Sequence, residues 1–151
     1  MFVETVRHKI RLVKPRSFAG LMALYESNHA RMRQLLGNVS ALPQRSVSSS
    51  ETDLNLHVTR VERCRYTTSL HMTYHFESTD SLQCDPDLLL RVYHDARLAE
   101  ALSCCDSPRH EALRGLILPT TSELERRWSL NIMLNKWLEY CLDHRHRFRT
   151  V

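Results

Sequence analysis

A chain of 151 residues, 42% hydrophobic and 25% charged, has the composition of one globular domain with a sizeable core. It holds no run of ~18 apolar residues of the kind that spans a membrane. Its start mixes Phe2 and Val3 with Glu4, Arg7, His8 and Lys9 instead of forming the apolar core of a secretory signal, so a cytoplasmic protein is expected.

The net charge of +4 sits in the two ends: residues 1–16 carry +4 and residues 144–151 carry +3, which leaves the body at −3. Five cysteines (Cys64, Cys84, Cys104, Cys105 and Cys141) form an odd set without disulfide-framework spacing, and reduced thiols are the simpler account. Cys64 and Cys141 fall on faces predicted to be buried.

In chain order, residues 1–14 show no clean period and read as a basic, mobile extension. Ser17 follows Pro15 as an N-cap, and Phe18, Leu21, Leu24, Tyr25, Asn28, Met32, Leu35 and Leu36 recur at helical spacing. Gly37 stands where a C-terminal cap belongs. Residues 38–53, with Pro43 and a serine cluster, read as a loop. A first strand places Leu54, Leu56 and Val58 on one face. The phase slips near Val61 and Glu62, which predicts a turn or bulge pairing Val58 with the neighbourhood of Thr68 and Leu54 with Met72.

Cys64 to Phe76 then alternates without interruption, the signature of a central strand with Cys64, Tyr66, Thr68, Leu70, Met72, Tyr74 and Phe76 on its buried face. After a connection over Ser78–Asp87, Leu88–Asp95 reads as a third strand. Ala96–Ser103 has helical propensity, but its shortness and the His94-Asp95 turn favour a hairpin partner. Residues 104–121 read as irregular. Ser122 with Glu125 then matches a capping box ahead of a wide apolar stripe through Trp128, Leu134, Trp137, Leu138 and Cys141. The fold class is α+β: a small antiparallel meander of about four strands packed against an N-terminal and a C-terminal helix in two layers. The domain covers 15–144, with a basic tail at 145–151.

With these segments placed, the chain resembles the YqiB family of small proteobacterial proteins, a domain of unknown function. Val61-Glu62 with Arg65-Tyr66-Thr67-Thr68 resembles its strand motif, and Tyr93-His94-Asp95-Ala96 with Ala99-Glu100 its most recognisable block. Asn131, Leu134, Trp137-Leu138, Tyr140-Cys141-Leu142 and His144 resemble its terminal helix, and Glu26 with Asn28 its first. The resemblance implies no established activity, cofactor or catalytic residue.

Candidate sites follow from the residues. His94 and Asp95 have the composition of an acid–base pair, with Tyr93 or Glu100 as partner; the competing reading is an Asp95 carboxylate bonded to its own turn. His71 and His75 are about 13 Å apart along a strand, too far to share a metal ion. Cys84, Cys104, Cys105 and His110 lack zinc spacing, so no metal or cofactor is expected. Thr67 beside Arg65 reads as wet-face strand filling or as part of a ligand contact. Asn28 and Asn131, each inside an apolar stripe, point either to a pocket shared with Glu26 or Tyr140 or to an internal network. Arg145, Arg147 and Arg149 suit phosphate contact, or serve as a solubilising tail.

There is no phosphate loop, nucleophile elbow or zinc-hydrolase signature. The leading expectation is therefore a non-enzymatic binding or adaptor module for a partner protein or small ligand, as monomer or homodimer. An RNA- or nucleotide-binding accessory protein working through Arg65, Arg91 and the terminal arginines comes second, and an enzyme of unrecognised type on His94, Asp95 and Glu100 third.

Overall fold

A computed structural model describes residues 16–77, 82–104 and 122–148. The element order is α1 (Phe18–Leu36), a 3-10 turn (Val39–Ala41), β1 (Arg45–Ser48), β2 (Leu56–Arg63), β3 (Thr67–Glu77), β4 (Leu82–Tyr93), β5 (Leu98–Cys104) and α2 (Glu123–Asp143). All strand pairings are antiparallel and the strands lie side by side in chain order, so the sheet is an open five-stranded meander and the fold is α+β. The expected extension at 1–14, Arg149, and Cys105 with His110 lie outside the described residues.

Both helices start as their sequences dictate. Ser17 Oγ accepts the Gly20 N–H at 3.0 Å, and Ser122 Oγ accepts the Glu125 N–H at 3.1 Å, each satisfying a first-turn donor. Gly37 ends α1 with φ 72° and donates its N–H to the Arg33 carbonyl. The predicted stripe of α1 is buried from Leu21 to Leu36, except that Phe18 stands 69% exposed, one turn too early to reach the sheet.

The strands depart from expectation in three places. Residues 38–53 contain β1, which alternation cannot reveal because Arg-Ser-Val-Ser has no apolar face; its extended form comes from pairing Ser46 with Val58 and Ser48 with Leu56. Val61 is a bulge rather than the fold-back point, for the register shifts between Arg60 and Glu62 and the chain turns at 64–66. Val58 therefore pairs with Met72 and Leu56 with Tyr74, while Leu54 lies before β2 and is 40% exposed. Cys64 and Tyr66, expected on the buried face of a strand beginning at Cys64, are exposed in the turn, and the Cys64 thiol donates to Glu62 Oε1 at 3.3 Å. Finally, β4 begins at Leu82, six residues before its predicted start. Pro86 falls in the register irregularity between the Thr73–Asp87 and His75–Cys84 pairs, where the ladder does not require its missing N–H. The hairpin of β4 with β5 forms as predicted.

Thr68, Leu70, Met72 and Tyr74 face the core as their alternation requires. One face of the sheet packs on Met32, Leu35 and Leu36 of α1 and on Leu134, Trp137 and Leu138 of α2. Trp137, wholly buried, meets Tyr74 edge-on with ring centroids 5.4 Å apart. Beyond α2 the segment expected to be a tail re-enters this core. Arg145 turns the chain at φ 62°, the His146 N–H bonds to the Cys141 carbonyl at 3.0 Å, and His146 and Phe148 are buried.

Candidate functional site

Buried polar groups must find partners, and three networks absorb most of the residues singled out by sequence. Asn28 and Asn131 meet between the helices. Asn28 Nδ2 donates to Asn131 Oδ1 at 3.3 Å, and Asn135 Nδ2 reaches both Asn28 Oδ1 (3.0 Å) and Ser27 Oγ (2.7 Å). Asn131 also bonds the backbone of Ala101. These amides tie the two helices together, and the Asn28 and Asn131 carbonyl oxygens are each taken by a donor. Glu26 is exposed elsewhere on α1.

Arg91 and Glu100 are cross-strand neighbours on β4 and β5, and Thr67 pairs with Tyr93. The Tyr93 hydroxyl donates to Glu100 Oε1 at 2.6 Å, and Arg127 Nη1 stands 3.8 Å from Glu100 Oε2. Burial, reinforced by Glu100, pushes the neighbouring Tyr25 phenol up to about 12.

The third network was invisible in the sequence because Ser48, Asp53 and Tyr74 lie far along the chain from Tyr140 and His146, with Asp53 and His146 93 residues apart. Asp53 accepts from the Tyr74 hydroxyl (2.5 Å), bonds His146 Nε2 (2.8 Å) and accepts from the Tyr140 hydroxyl (3.3 Å). On the far side of the imidazole, His146 Nδ1 contacts Ser48 Oγ at 3.0 Å, and that oxygen accepts the Arg147 N–H at 2.9 Å. Burial alone raises the Asp53 carboxyl, but the hydrogen bonds from Tyr74 and His146 prevail and hold it below its usual value. Serine, histidine and aspartate in line have the composition of a nucleophile relay. Here Ser48 is 2% exposed and His146 fully buried, so no substrate reaches them and the arrangement clamps the chain end to β1. Burial pushes the adjacent Cys141 thiol up to about 12, which leaves it an inert core group.

One end of the sheet is different. The C-terminal part of α1, the residues after it and the β4–β5 turn enclose an open cleft of about 610 Å³, within the size range of small-ligand pockets. Met32, Val39 and Val92 form its apolar part, Arg33 and Arg97 carry its charge, and His29 and His94 add imidazole rings. His29 and Arg33, four apart, share one face of α1. Arg97 reaches the cleft from a turn held at φ 54°, a left-handed conformation uncommon for a residue with a side chain. His94 is fixed by a 2.8 Å bond from its Nε2 to Thr68 Oγ1 and by its N–H on the Tyr66 carbonyl. Asp95 turns away and accepts the Ala96 N–H at 2.9 Å, so His94 and Asp95 do not form the acid–base pair considered from sequence.

No carboxylate among the described residues lines the cleft. Among the described residues neither Arg33 nor Arg97 has a hydrogen bond or ion pair through its guanidinium. Burial, followed by the charges of Arg33, Arg97 and His94, depresses the His29 pKa below 6.5. A second cavity of about 430 Å³ lies between residues 49–52 and 143–145. Its Ser50 and Thr52 hydroxyls are already committed to the carbonyl and ring of His144, and it combines Glu51 and Asp143 with Arg145. With two carboxylates against one guanidinium, it does not favour an anion. Of the residues proposed from sequence, His94 alone lines the first cleft, with Tyr66 joined to it through the backbone. His29, Arg33 and Arg97 went unnoticed, although the i,i+4 spacing of the first two was visible.

Among the described residues no helix is long and apolar enough to cross a membrane. No solved structure matches the chain. Residues 31–147 match the family model described as "Protein of unknown function (DUF1249)". The proteins called "Uncharacterized protein YqiB" in Escherichia coli strains K12 and O6:H1 are each 33% identical over 129 residues, spanning 84% of this chain and 89% of theirs. The chain belongs to this family of uncharacterised YqiB-like proteins.

Proposed function

We propose that the protein is a binding module that holds an anionic ligand in the cleft between α1 and the β4–β5 turn. The observation that carries this reading is the convergence of Arg33, Arg97, His29 and His94 on one opening, with no lining carboxylate among the described residues. Unpaired guanidinium groups match the geometry of phosphate and carboxylate oxygens. The partial negative charge at the end of α1, about half an elementary charge, offsets only a fraction of two full cations. Holding fits the geometry better than transformation, because the Thr68 contact restrains the His94 ring and Asp95 is committed to its own turn.

The test is an amide-resonance titration with inorganic phosphate, pyrophosphate and citrate, on the wild-type chain and on Arg33→Gln/Arg97→Gln. Saturable shifts around His29 and Arg97, weakened roughly tenfold or more in the double variant, are expected; losing a charged hydrogen bond costs about 1.5–3 kcal/mol. Binding of equal strength in the double variant, or no binding by any of the three anions, overturns the reading.

A further inference from the structure

The cleft is continuous with a row of cations that its own lining does not include. Ser40 sits in the cleft wall, and its carbonyl accepts from Arg63 Nη1 at 3.0 Å. Two residues on, the Leu42 carbonyl accepts from Arg60 Nη1 at 3.0 Å. Both guanidinium groups are thus laid along residues 40–42 by neutral carbonyl partners, and among the described residues no carboxylate pairs with either. Their charge stays available.

The β2–β3 turn adds a flat apolar surface to the same end of the sheet. Tyr66 is 52% exposed, its carbonyl accepts the N–H of the cleft residue His94, and the Arg65 guanidinium lies 5.2 Å from its ring centroid. Between Arg60 and Tyr66 and across the β4–β5 turn the acidic residues are Glu62 and Asp95, set against Arg60, Arg63, Arg65 and Arg97, with Arg33 in the cleft wall on α1. Glu62 accepts the Cys64 thiol and Asp95 the Ala96 N–H.

A row of cations beside an exposed ring is what a single-stranded nucleic acid requires: charge spaced along its phosphates and a face on which a base stacks. A folded acidic partner would use the charge and leave the ring unexplained, and a lone small anion would use neither Arg60 nor Arg63. We infer that the ligand is a single-stranded nucleic acid, with one phosphate in the cleft, the backbone continuing past Arg63 and Arg60, and a base stacked on Tyr66. This rests on the anion-binding reading of the cleft.

The experiment is fluorescence anisotropy with labelled oligouridylate and oligothymidylate of roughly eight nucleotides, titrated between about 50 and about 200 mM salt. Variants are Arg63→Gln, Arg60→Gln/Arg63→Gln, Tyr66→Ala and Arg33→Gln/Arg97→Gln, each checked for the wild-type thermal transition. The exposed Arg63 single variant keeps the test usable if the double variant misfolds. Expected results are a log–log salt slope of about −2 to −3, from three or four phosphates on a single strand, and a roughly tenfold loss in Tyr66→Ala with that slope unchanged. Arg60→Gln/Arg63→Gln should weaken the oligonucleotide severalfold while phosphate binding in the cleft stays as in wild type.

Phosphate binding with no tighter oligonucleotide binding overturns this inference and leaves the cleft reading standing. Oligonucleotide binding insensitive to Arg33→Gln/Arg97→Gln but sensitive to Arg63 and Tyr66 sinks the cleft reading instead. Polyglutamate competing as well as the oligonucleotides, with Tyr66→Ala without effect, would assign the surface to an acidic polypeptide and overturn the inference.

Discussion

Asn131 completes the outer edge of β5 by bonding both backbone groups of Ala101: its Oδ1 accepts the Ala101 N–H at 2.8 Å and its Nδ2 donates to the Ala101 carbonyl at 3.4 Å. A side-chain amide on a helix thereby does for one residue what a sixth strand would do for the whole edge. Exposed strand edges invite pairing with other chains, and here α2 lies over this one. The same Nδ2 also reaches the Arg127 carbonyl at 2.8 Å, so the amide is anchored in its own helix while it serves the sheet.

Replacing Asn131 with Ala strands the Ala101 N–H and removes the Asn28 contact in a dry interior. The expected cost is about 2–3 kcal/mol of unfolding free energy, read from urea denaturation. Asn131→Asp keeps the acceptor and loses the donors, and it introduces a buried charge, so it should fare no better. A loss under about 0.5 kcal/mol in the alanine variant would show that the network contributes no stability.

Trp137→Ala removes a fully buried ring that packs edge-on against Tyr74. The expected loss is about 3–5 kcal/mol, with the heat-capacity change retained. A value under about 1 kcal/mol would mean that the helix layer is placed differently.

The Asp53 hub sets an acid limit. Its carboxyl lies below 3.8 in the folded state, so the unfolded chain takes up this proton first as pH falls. The stabilisation is complete above pH 3.8 and disappears as pH drops through the lower folded value. Asp53→Asn should be less stable at neutral pH and should show a shallower decline below pH 3.8. Equal slopes in the two proteins would assign acid unfolding to other groups. His146→Ala removes a partner from the same carboxylate and should destabilise in the same direction.

His29 in the cleft couples to pH with the same sign, over a higher range. Its folded pKa lies below 6.5, so protonation favours the unfolded chain and stability falls as pH is lowered from 6.5 through the folded value. His29→Gln should flatten that slope. An anion seated among Arg33, Arg97 and His94 supplies the missing negative charge, so ligand should raise the His29 pKa and binding should take up protons. Titration of the His29 ring resonances with and without phosphate reads this directly; an unmoved midpoint at saturating phosphate would place the anion elsewhere.

How much the sequence disclosed follows from how local each cause is. The helix caps at Ser17, Gly37 and Ser122 and the alternation from Thr68 to Tyr74 depend on near neighbours, and each was legible. β1 was not, because its strand conformation is imposed by β2. The turn at 64–66 was hidden by continuous alternation, which two strands joined by a tight turn can produce as readily as one long strand. Among the site residues, Asn28 and Asn131 could be recognised as buried amides with partners to find, but not which partners. Asp53, Ser48 and His146 gave no signal, since a contact across 93 residues leaves no trace in spacing. The cleft fell between these cases: His29 and Arg33 shared a visible face, but only the β4–β5 turn brings Arg97 opposite them.

The strict chain order of the meander has a consequence for biosynthesis. Every strand among the described residues is present once residue 104 has left the ribosome, and each can pair with the one just made. Residues 123–143, which cover part of its apolar face, emerge afterwards, so Leu70, Met72, Leu88 and Leu90 form a nearly complete sheet before Trp137 and Leu138 are free to cover it. During that interval the nascent chain displays a sticky surface whose natural cover is still being translated. A pause while residues 105–121 are leaving the ribosome would lengthen this exposure and hand the intermediate to chaperones, whereas the same pause before β4 has emerged would find no finished sheet to protect.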